Sequence, residues 1–404
     1  MEFLRANLWE IKKSSTVRIF GIILSIAHVF TFLFWWQNEK LPLKLAQSPS
    51  QICWPVLESC HYLHSLSDPL LAFFFYTYIV LAVLAGIVLI SSRWVGLGWF
   101  LLLLATLLKG TLYLQDFRLA ANVHYLHFLF LIIWLILPSK ILSFKLILAG
   151  YFVTSGIHKL SPEWLTGRWF LEHMEIPVKL AEWLAALATM IEFIAPVVLF
   201  LKDGRYFLSA FLTLFLYFST LLYIDGFLRP ALLLMFSFVF ILHIFEVRRA
   251  EREFIYQSFI RPEPSLLWTL LIIVLFYGGQ VLQWVPQLPK PLETTRQVLA
   301  LSPLPKMNEC RQSTFLIEKN RVEELMAEGE HTGNRTFTAC DPYLNFLEAR
   351  SFCEQKRKLP QLETVASYFF MRGLKDTSFK NVFSIDDICK PDLKYSDMGG
   401  SHGL

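Results

Sequence analysis

The stretch 149-AGYFVTSGIHKLSPEWLTGRWFLEHM-174 opens as the end of an apolar helix and stops being apolar at His158 and Lys159. A helix in lipid satisfies its own backbone, so it ends only where water, headgroups or protein can take over its last carbonyls. Thr154, Ser155, His158 and Lys159 form a polar patch on the final turns, and Ser155 and Lys159, spaced i and i+4, share a face. Ser161 and Pro162 then carry a helix-start signature, serine as cap and proline at the first position. Trp164 and Trp169 suit a short helix lying at the membrane interface. Gly156 is placed to let another backbone or a ligand approach closely, and Gly167 to end the first turns of the new helix.

The surrounding chain explains why a helix should end this way. It has 404 residues, 55% hydrophobic and only 17% charged, against about 25% charged in an ordinary soluble domain. The apolar residues come in long runs, so the expected fold class is an all-α polytopic membrane protein. About nine transmembrane helices are predicted, near 19–36, 69–91, 94–115, 119–138, 141–158, 181–201, 206–224, 227–246 and 267–285. They define a membrane domain over 1–286. Residues 287–404 form a small C-terminal extramembrane domain, opened by the proline-rich linker 285-VPQLPKPLETT and containing an amphipathic helix in 342-PYLNFLEARSFCEQKRK. The first thirteen residues read as an interfacial amphipathic segment anchored by Trp9.

Charge and cysteine placement give the orientation. The net charge of +4 is modest, and the Lys and Arg residues lie mostly in short loops. That pattern reads as membrane topology, with lipids as the surroundings and no nucleic-acid partner. With the N-terminus inside, the inner segments hold more Lys and Arg than the outer loops, and the C-terminus falls outside. Cys53 and Cys60 then lie in the first outer loop, and Cys310, Cys340, Cys353 and Cys389 in the tail. Disulfides persist in oxidising compartments, which agrees with an extracytoplasmic tail, periplasmic or lumenal. Cys53–Cys60 is expected as one bridge, and the tail cysteines allow three pairings. His61 and His64 lack further ligands nearby, so no metal site is expected.

An ionisable side chain inside hydrocarbon costs at least about 2.5–3.5 kcal/mol, so each calls for a partner, a cavity or a task. His28, Lys109, His124, His127, Lys159, Glu192 and His243 fall in or at the ends of the predicted spans. Most belong to the outer half on different helices, as a polar pocket open to the outside requires. Lys109, Asn122, His127, Tyr151, Ser155 and Glu192 are the candidate pocket residues. Lys109 has the alternative of snorkelling to the headgroups. Glu192 has that of marking a kink four residues before Pro196. His28 and His243 read as packing residues.

The string Gly156-Ile-His-Lys-Leu-Ser-Pro-Glu-Trp-Leu-Thr-Gly167 resembles the signature of the HTTM (horizontally transferred transmembrane) family, which includes the membrane domain of vitamin K-dependent γ-glutamyl carboxylases. Asn122-Val-His-Tyr-Leu126 is similar to a second block of that family, with different spacing. The resemblance covers roughly residues 15–286. It implies a catalytic base at Lys159 that deprotonates reduced vitamin K or a similar quinone, with His124 assisting and His158 adjacent. It further implies that oxygen converts the quinol to a strong base, which removes a glutamate γ-proton before CO₂ adds. A lysine that serves as base must be neutral, and desolvation favours that form. The large lumenal region of the animal enzymes has only a short counterpart here. A non-enzymatic alternative stands beside this one: a membrane anchor or maturation factor presenting a disulfide-bonded outer domain to a protein partner.

Overall fold

The computed structural model describes residues 2–38, 40–47, 54, 67–119, 122–137, 140–160, 162–199, 231–233, 235–237, 274, 276–277, 309–318, 321–327, 342–356, 362–372, 378–390 and 393. Helix α1 (Glu2–Lys13) leads into α2 (Ser15–Gln37), where the Ser14 hydroxyl caps the first turn by accepting from the Val17 amide at 3.2 Å. Then come α3 (Leu41–Gln47), α4 (Asp68–Ile90), α5 (Val95–Leu114), α6 (Asn122–Ile136) and α7 (Lys140–His158). Two short helices, α8 (Pro162–Leu165) and α9 (Arg168–His173), precede α10 (Val178–Leu199). The helices of α2, α4, α5 with its leading turn, and α7 are long and apolar enough to cross a membrane, and α6 is a shorter apolar helix. The first six predicted spans therefore coincide with helices. The span predicted at 206–224 lies outside the described residues, and those at 227–246 and 267–285 are described only at a few helical positions.

Lipid exposure shows in the side chains. On α4, Phe73, Val80, Ile87 and Ile90 are exposed although apolar, while Phe75, Tyr78, Ala82 and Ala85 are buried. One face meets hydrocarbon and the other meets α2 and α5. Two clusters fill the bundle. One is built on Phe20, Phe130, Trp134, Phe144 and Phe236, the other on Trp35, Trp54, Phe75, Tyr113 and Phe117 at the opposite end.

Each end of the bundle is closed by a polar clasp. At one end, Lys140 is fully buried and its ammonium donates to the Leu137 carbonyl at 2.6 Å, to Glu10 Oε2 at 3.2 Å and to Asn7 Oδ1. The Lys140 amide donates to Glu10 Oε1 at 3.1 Å, and Asn7 Nδ2 to the Leu135 carbonyl at 2.6 Å. The α6–α7 turn is thus fastened to α1. Trp9 is exposed and Ile11 buried, as an interfacial helix requires.

At the other end, buried Asp116 accepts from the Arg118 amide at 2.8 Å, from Nε at 3.0 Å and from Nη2 at 2.8 Å. Arg118 Nη1 also reaches Glu348 of the tail at 3.5 Å. Burial draws the guanidinium pKa down, but the Asp116 bonds and the charges of Asp116 and Glu348 outweigh it and hold the pKa above its ordinary value. Asp116→Ala should cost at least about 2 kcal/mol, because it strips a partly buried guanidinium of its charge-assisted bonds. Glu348→Gln, at the exposed side, should cost no more than about 1 kcal/mol. Thermal unfolding of the two variants in detergent checks the ordering.

The tail is not only helical. Strands β1 (Glu309–Glu318), β2 (Arg321–Ala327), β3 (Leu362–Arg372) and β4 (Lys380–Ile385) form one antiparallel sheet in the order β2-β1-β3-β4. Helix α11 (Pro342–Lys356), close to the predicted amphipathic helix, lies against β3. Phe346, Ala349, Leu316, Val365, Phe369, Phe383 and Ile388 fill the space between. Cys353 of α11 is disulfide-bonded to Cys389, beyond β4. Cys310 is also disulfide-bonded. Cys53, Cys60 and Cys340, and hence the expected Cys53–Cys60 bridge, lie outside the described residues. Leu347, on the next face of α11, packs against the bundle cluster around Trp35 and Phe117.

Candidate functional site

The candidate residues fall into two buried groups. The first sits where α7 ends against α10. Lys159 lies in the turn after α7, and the Lys159 amide donates to the Ser155 carbonyl at 3.1 Å, so the helical path carries through to it. Its ammonium is ion-paired with Glu192 Oε1 of α10. Ser155 Oγ donates to the second oxygen, Oε2, at 2.6 Å. Lys159, Glu192 and Ser155 are all buried, at 2%, 3% and 0% exposure. The i and i+4 spacing of Ser155 and Lys159 thus grips one carboxylate from one helical face. Glu192 is a hydrogen-bond acceptor for its neighbours, and α10 continues as helix through Pro196 to Leu199.

The turn that follows holds this pair in place. Lys159 Nζ stands 5.0 Å from the centroid of the Trp164 ring. Trp164 is itself buried, and its Nε1 donates to the Ala185 carbonyl at 3.0 Å and to Thr189 Oγ1 at 3.1 Å. It is a packing residue on α10 and not the interfacial anchor expected from sequence. Phe170, Ala181, Ala185 and Ala188 complete the contact. The small residues of α10 let α8 and α9 lie close. Gly167 has φ of 70°, and a Cβ there would fall 2.3 Å from the Ala181 carbonyl carbon. The close neighbour of Gly156 is a side chain, the Phe193 ring at 3.2–3.3 Å from a built Cβ, where a backbone or ligand was expected.

The second group joins α2, α4, α5 and α6. Lys109 of α5 is fully buried; its Nζ lies 2.7 Å from His127 Nδ1 of α6 and 3.3 Å from Thr31 Oγ1 of α2. It does not snorkel. His28 of α2, read from sequence as a packing residue, lies 4.6 Å from the His127 ring between centroids, tilted against it by 58°, and contacts the Tyr78 hydroxyl of α4 at 3.2 Å. His124, one turn before His127, is 2% exposed and lies between the Trp35 and Tyr113 rings, at centroid distances of 5.6 and 5.8 Å. Among the described residues, His28 Nε2 and His124 Nδ1 have no hydrogen-bond partner, and the Leu24 backbone lies beside the His127 ring.

Among the described residues, Lys109, His28, His124 and His127 make no hydrogen bond or ion pair with Lys159, Ser155 or Glu192. Tyr151 belongs to the aromatic core beside Phe152. Asn122 begins α6 and His158 ends α7. No group of three or more His, Cys, Asp or Glu side chains is arranged to hold a metal ion among the described residues. His61, His64, Ser161 and His243 lie outside them.

The first group can hold or pass a proton between an amine, a carboxylate and a hydroxyl away from water. Compared with known protein families, curated proteins and solved structures, the chain matches none.

Proposed function

We propose that this chain is a multi-pass integral membrane enzyme of the carboxylase- and epoxidase-like type that its 156–167 string resembles. It takes a proton from a reduced lipid-soluble quinone, of the vitamin K hydroquinone class. In this reading the N-terminus is cytoplasmic and the tail extracytoplasmic. The observation that supports it is the buried Lys159–Glu192 pair with Ser155 on the second carboxylate oxygen.

A base must be a neutral amine at the moment of proton transfer. Glu192 Oε1 is the acceptor beside Lys159, so a proton that leaves the ammonium has a place to go. Lys159 Nζ then has a lone pair for a hydroxyl proton, while Ser155 keeps Glu192 oriented. A quinol hydroxyl is the donor this reading assigns to the amine, which sits with its carboxylate at the end of a span. When bound, the reduced quinone would supply a quinol that oxygen converts to a strong base. The resemblance gives His124 a helper's part in this chemistry, although His124 stands in the other buried group, between Trp35 and Tyr113.

Lys159→Arg tests the reading. Arginine keeps the cation beside Glu192 but does not release its proton in a protein. The variant should insert and fold while quinone turnover falls by about 10²–10⁴-fold, the usual contribution of a positioned base. Oxygen-dependent quinol oxidation by the purified protein in lipid measures it; unchanged turnover overturns the assignment. The docking of α11 through Arg118–Glu348 supports a second reading, an anchor that presents the tail to a protein partner. That reading predicts no co-purifying quinone and a tail-dependent protein complex.

A further inference from the structure

We propose that the outward face of α1, together with the Arg93–Trp94 turn that leads into α5, is a docking surface for the anionic phospholipid headgroups of one bilayer leaflet. It uses none of the residues of the Lys159–Glu192 pair, so its test stands apart from the quinone reading.

Helix geometry is the first ground. Asn7 and Ile11, spaced i and i+4, are buried at 1% and 0% exposure and turn one face of α1 into the bundle. Arg5, Trp9, Lys12 and Lys13, spaced i, i+4, i+7 and i+8, share the opposite face, and all four are exposed. Trp9 is 55% exposed, and Lys13 Nζ lies 4.8 Å from the centroid of its ring. A second such pair stands in the turn before α5. Arg93 and Trp94 are both exposed there, with the guanidinium carbon 5.8 Å from the indole centroid. One backbone atom sets α1 and the start of α5 at the same end of the bundle: the Leu135 carbonyl accepts from Asn7 Nδ2 at 2.6 Å and from Trp99 Nε1 at 2.9 Å.

Charge is the second ground and chooses the lipid. Residues 1–18 hold Arg5, Lys12, Lys13 and Arg18 against two carboxylates, Glu2 and Glu10. Glu10 is bonded to the buried Lys140 ammonium at 3.2 Å, so its charge is matched within the clasp and the outward face stays cationic. Arg93 adds one more positive charge at this end. Cations interleaved with tryptophan fit a plane of headgroups: the indole settles where hydrocarbon meets water, and long basic side chains reach the phosphates. A phosphatidylcholine headgroup cancels its own phosphate with its choline. An anionic headgroup leaves a net negative charge for the patch to neutralise, a preference of about fivefold for each Lys or Arg.

The experiment uses the full chain in mild detergent, mixed with equal amounts of phosphatidylglycerol and phosphatidylcholine at low ionic strength and repurified. Mass spectrometry of the retained lipid reads the preference. Phosphatidylglycerol should exceed phosphatidylcholine by about fivefold or more. Salt at about 1 M should bring the ratio near parity, because the attraction is electrostatic. Arg5→Gln/Lys12→Gln/Lys13→Gln/Arg93→Gln should abolish the preference, and Lys12→Arg/Lys13→Arg should keep it. Lys40→Gln/Lys44→Gln, beyond the far end of α2, should keep it as well, although Lys40 Nζ also stands over a tryptophan, Trp36, at 4.8 Å. Equal retention by the parent chain, or a preference that survives the fourfold variant, would overturn the proposal; loss of the preference in the Lys40/Lys44 variant sinks the placement at α1. Should the fourfold variant fail to fold, Lys12→Gln/Lys13→Gln decides, and an unchanged ratio there counts against the surface. Inorganic phosphate in large excess should leave the phosphatidylglycerol bound; displacement would mean a free-anion site in place of a lipid surface.

Discussion

Glu192→Ala is expected to lower the stability of the folded chain by about 3–5 kcal/mol, because it leaves the buried Lys159 ammonium without its carboxylate. The cost is not a measure of what the pair contributes. Taking two charges out of lipid headgroups and water is itself expensive, and the mutual attraction only returns that cost when the geometry is good. The double variant Lys159→Met/Glu192→Leu should therefore recover most of the loss, since two apolar side chains fill the same space without any buried charge. Thermal or denaturant unfolding of the single and double variants, in one detergent, measures the cycle. A large gap between them marks a pair retained at the expense of stability, as catalytic groups often are. If the single variant were as stable as the parent, the buried pair would be wrong. The double variant, stable but without an amine, should also be inert toward quinol.

The second large effect is expected at Gly167. Gly167→Ala places a side chain on a left-handed residue, at a strain of about 1–2 kcal/mol. The new Cβ would meet the backbone of Ala181 and Glu182 at 2.3–2.6 Å. Backbone cannot rotate away as a side chain can, so α8 and α9 must lift from α10. Trp164 and Phe170 then lose burial worth about 1.5–3 kcal/mol each. Strain and the release of one of the two aromatics together come to about 2.5–5 kcal/mol. Gly96→Ala is the control, because a Cβ there meets nothing within 4 Å. It should be neutral or slightly stabilising, for alanine favours helix over glycine. Equal midpoints for the two variants would sink the close-packing account of the turn.

The membrane helices were readable because a span must be long, apolar and continuous, and α2, α4, α5 and α7 are all three. Lys159, Ser155 and Glu192 were readable as polar intruders in such a setting. Their contact was not, because spacing puts Ser155 and Lys159 on one face of α7 but does not say that the face of α10 bearing Glu192 meets it. His28 looked like a packing residue for a similar reason: its role depends on Tyr78, fifty residues away. Trp164 looked like an interfacial anchor since tryptophan is common there, but the alanines that make room for it lie on α10.

The sheet of the tail was hidden by composition. The buried face of β1 carries Cys310, Gln312, Thr314 and Leu316, so its period of two does not appear as an alternation of apolar and polar. Gln312 Nε2 instead donates to the Asn345 carbonyl at 3.3 Å, and Thr314 bonds Ser367 on β3 at 3.2 Å. Polar residues satisfied across a strand look like loop residues when read alone.

The clasp between α1 and Lys140 sets an order of assembly. Asn7 and Glu10 emerge from the ribosome first, and their partner emerges some 130 residues later. At a synthesis rate of about 5–20 residues per second, that interval is about 7–26 seconds. Through it α1 has α2 and α5 to pack against, but not yet the α6–α7 turn. Helix α1 is thus made well before the residue that fastens it to the α6–α7 turn, and co-translational insertion must hold Asn7 and Glu10 in place until α7 brings Lys140 to them.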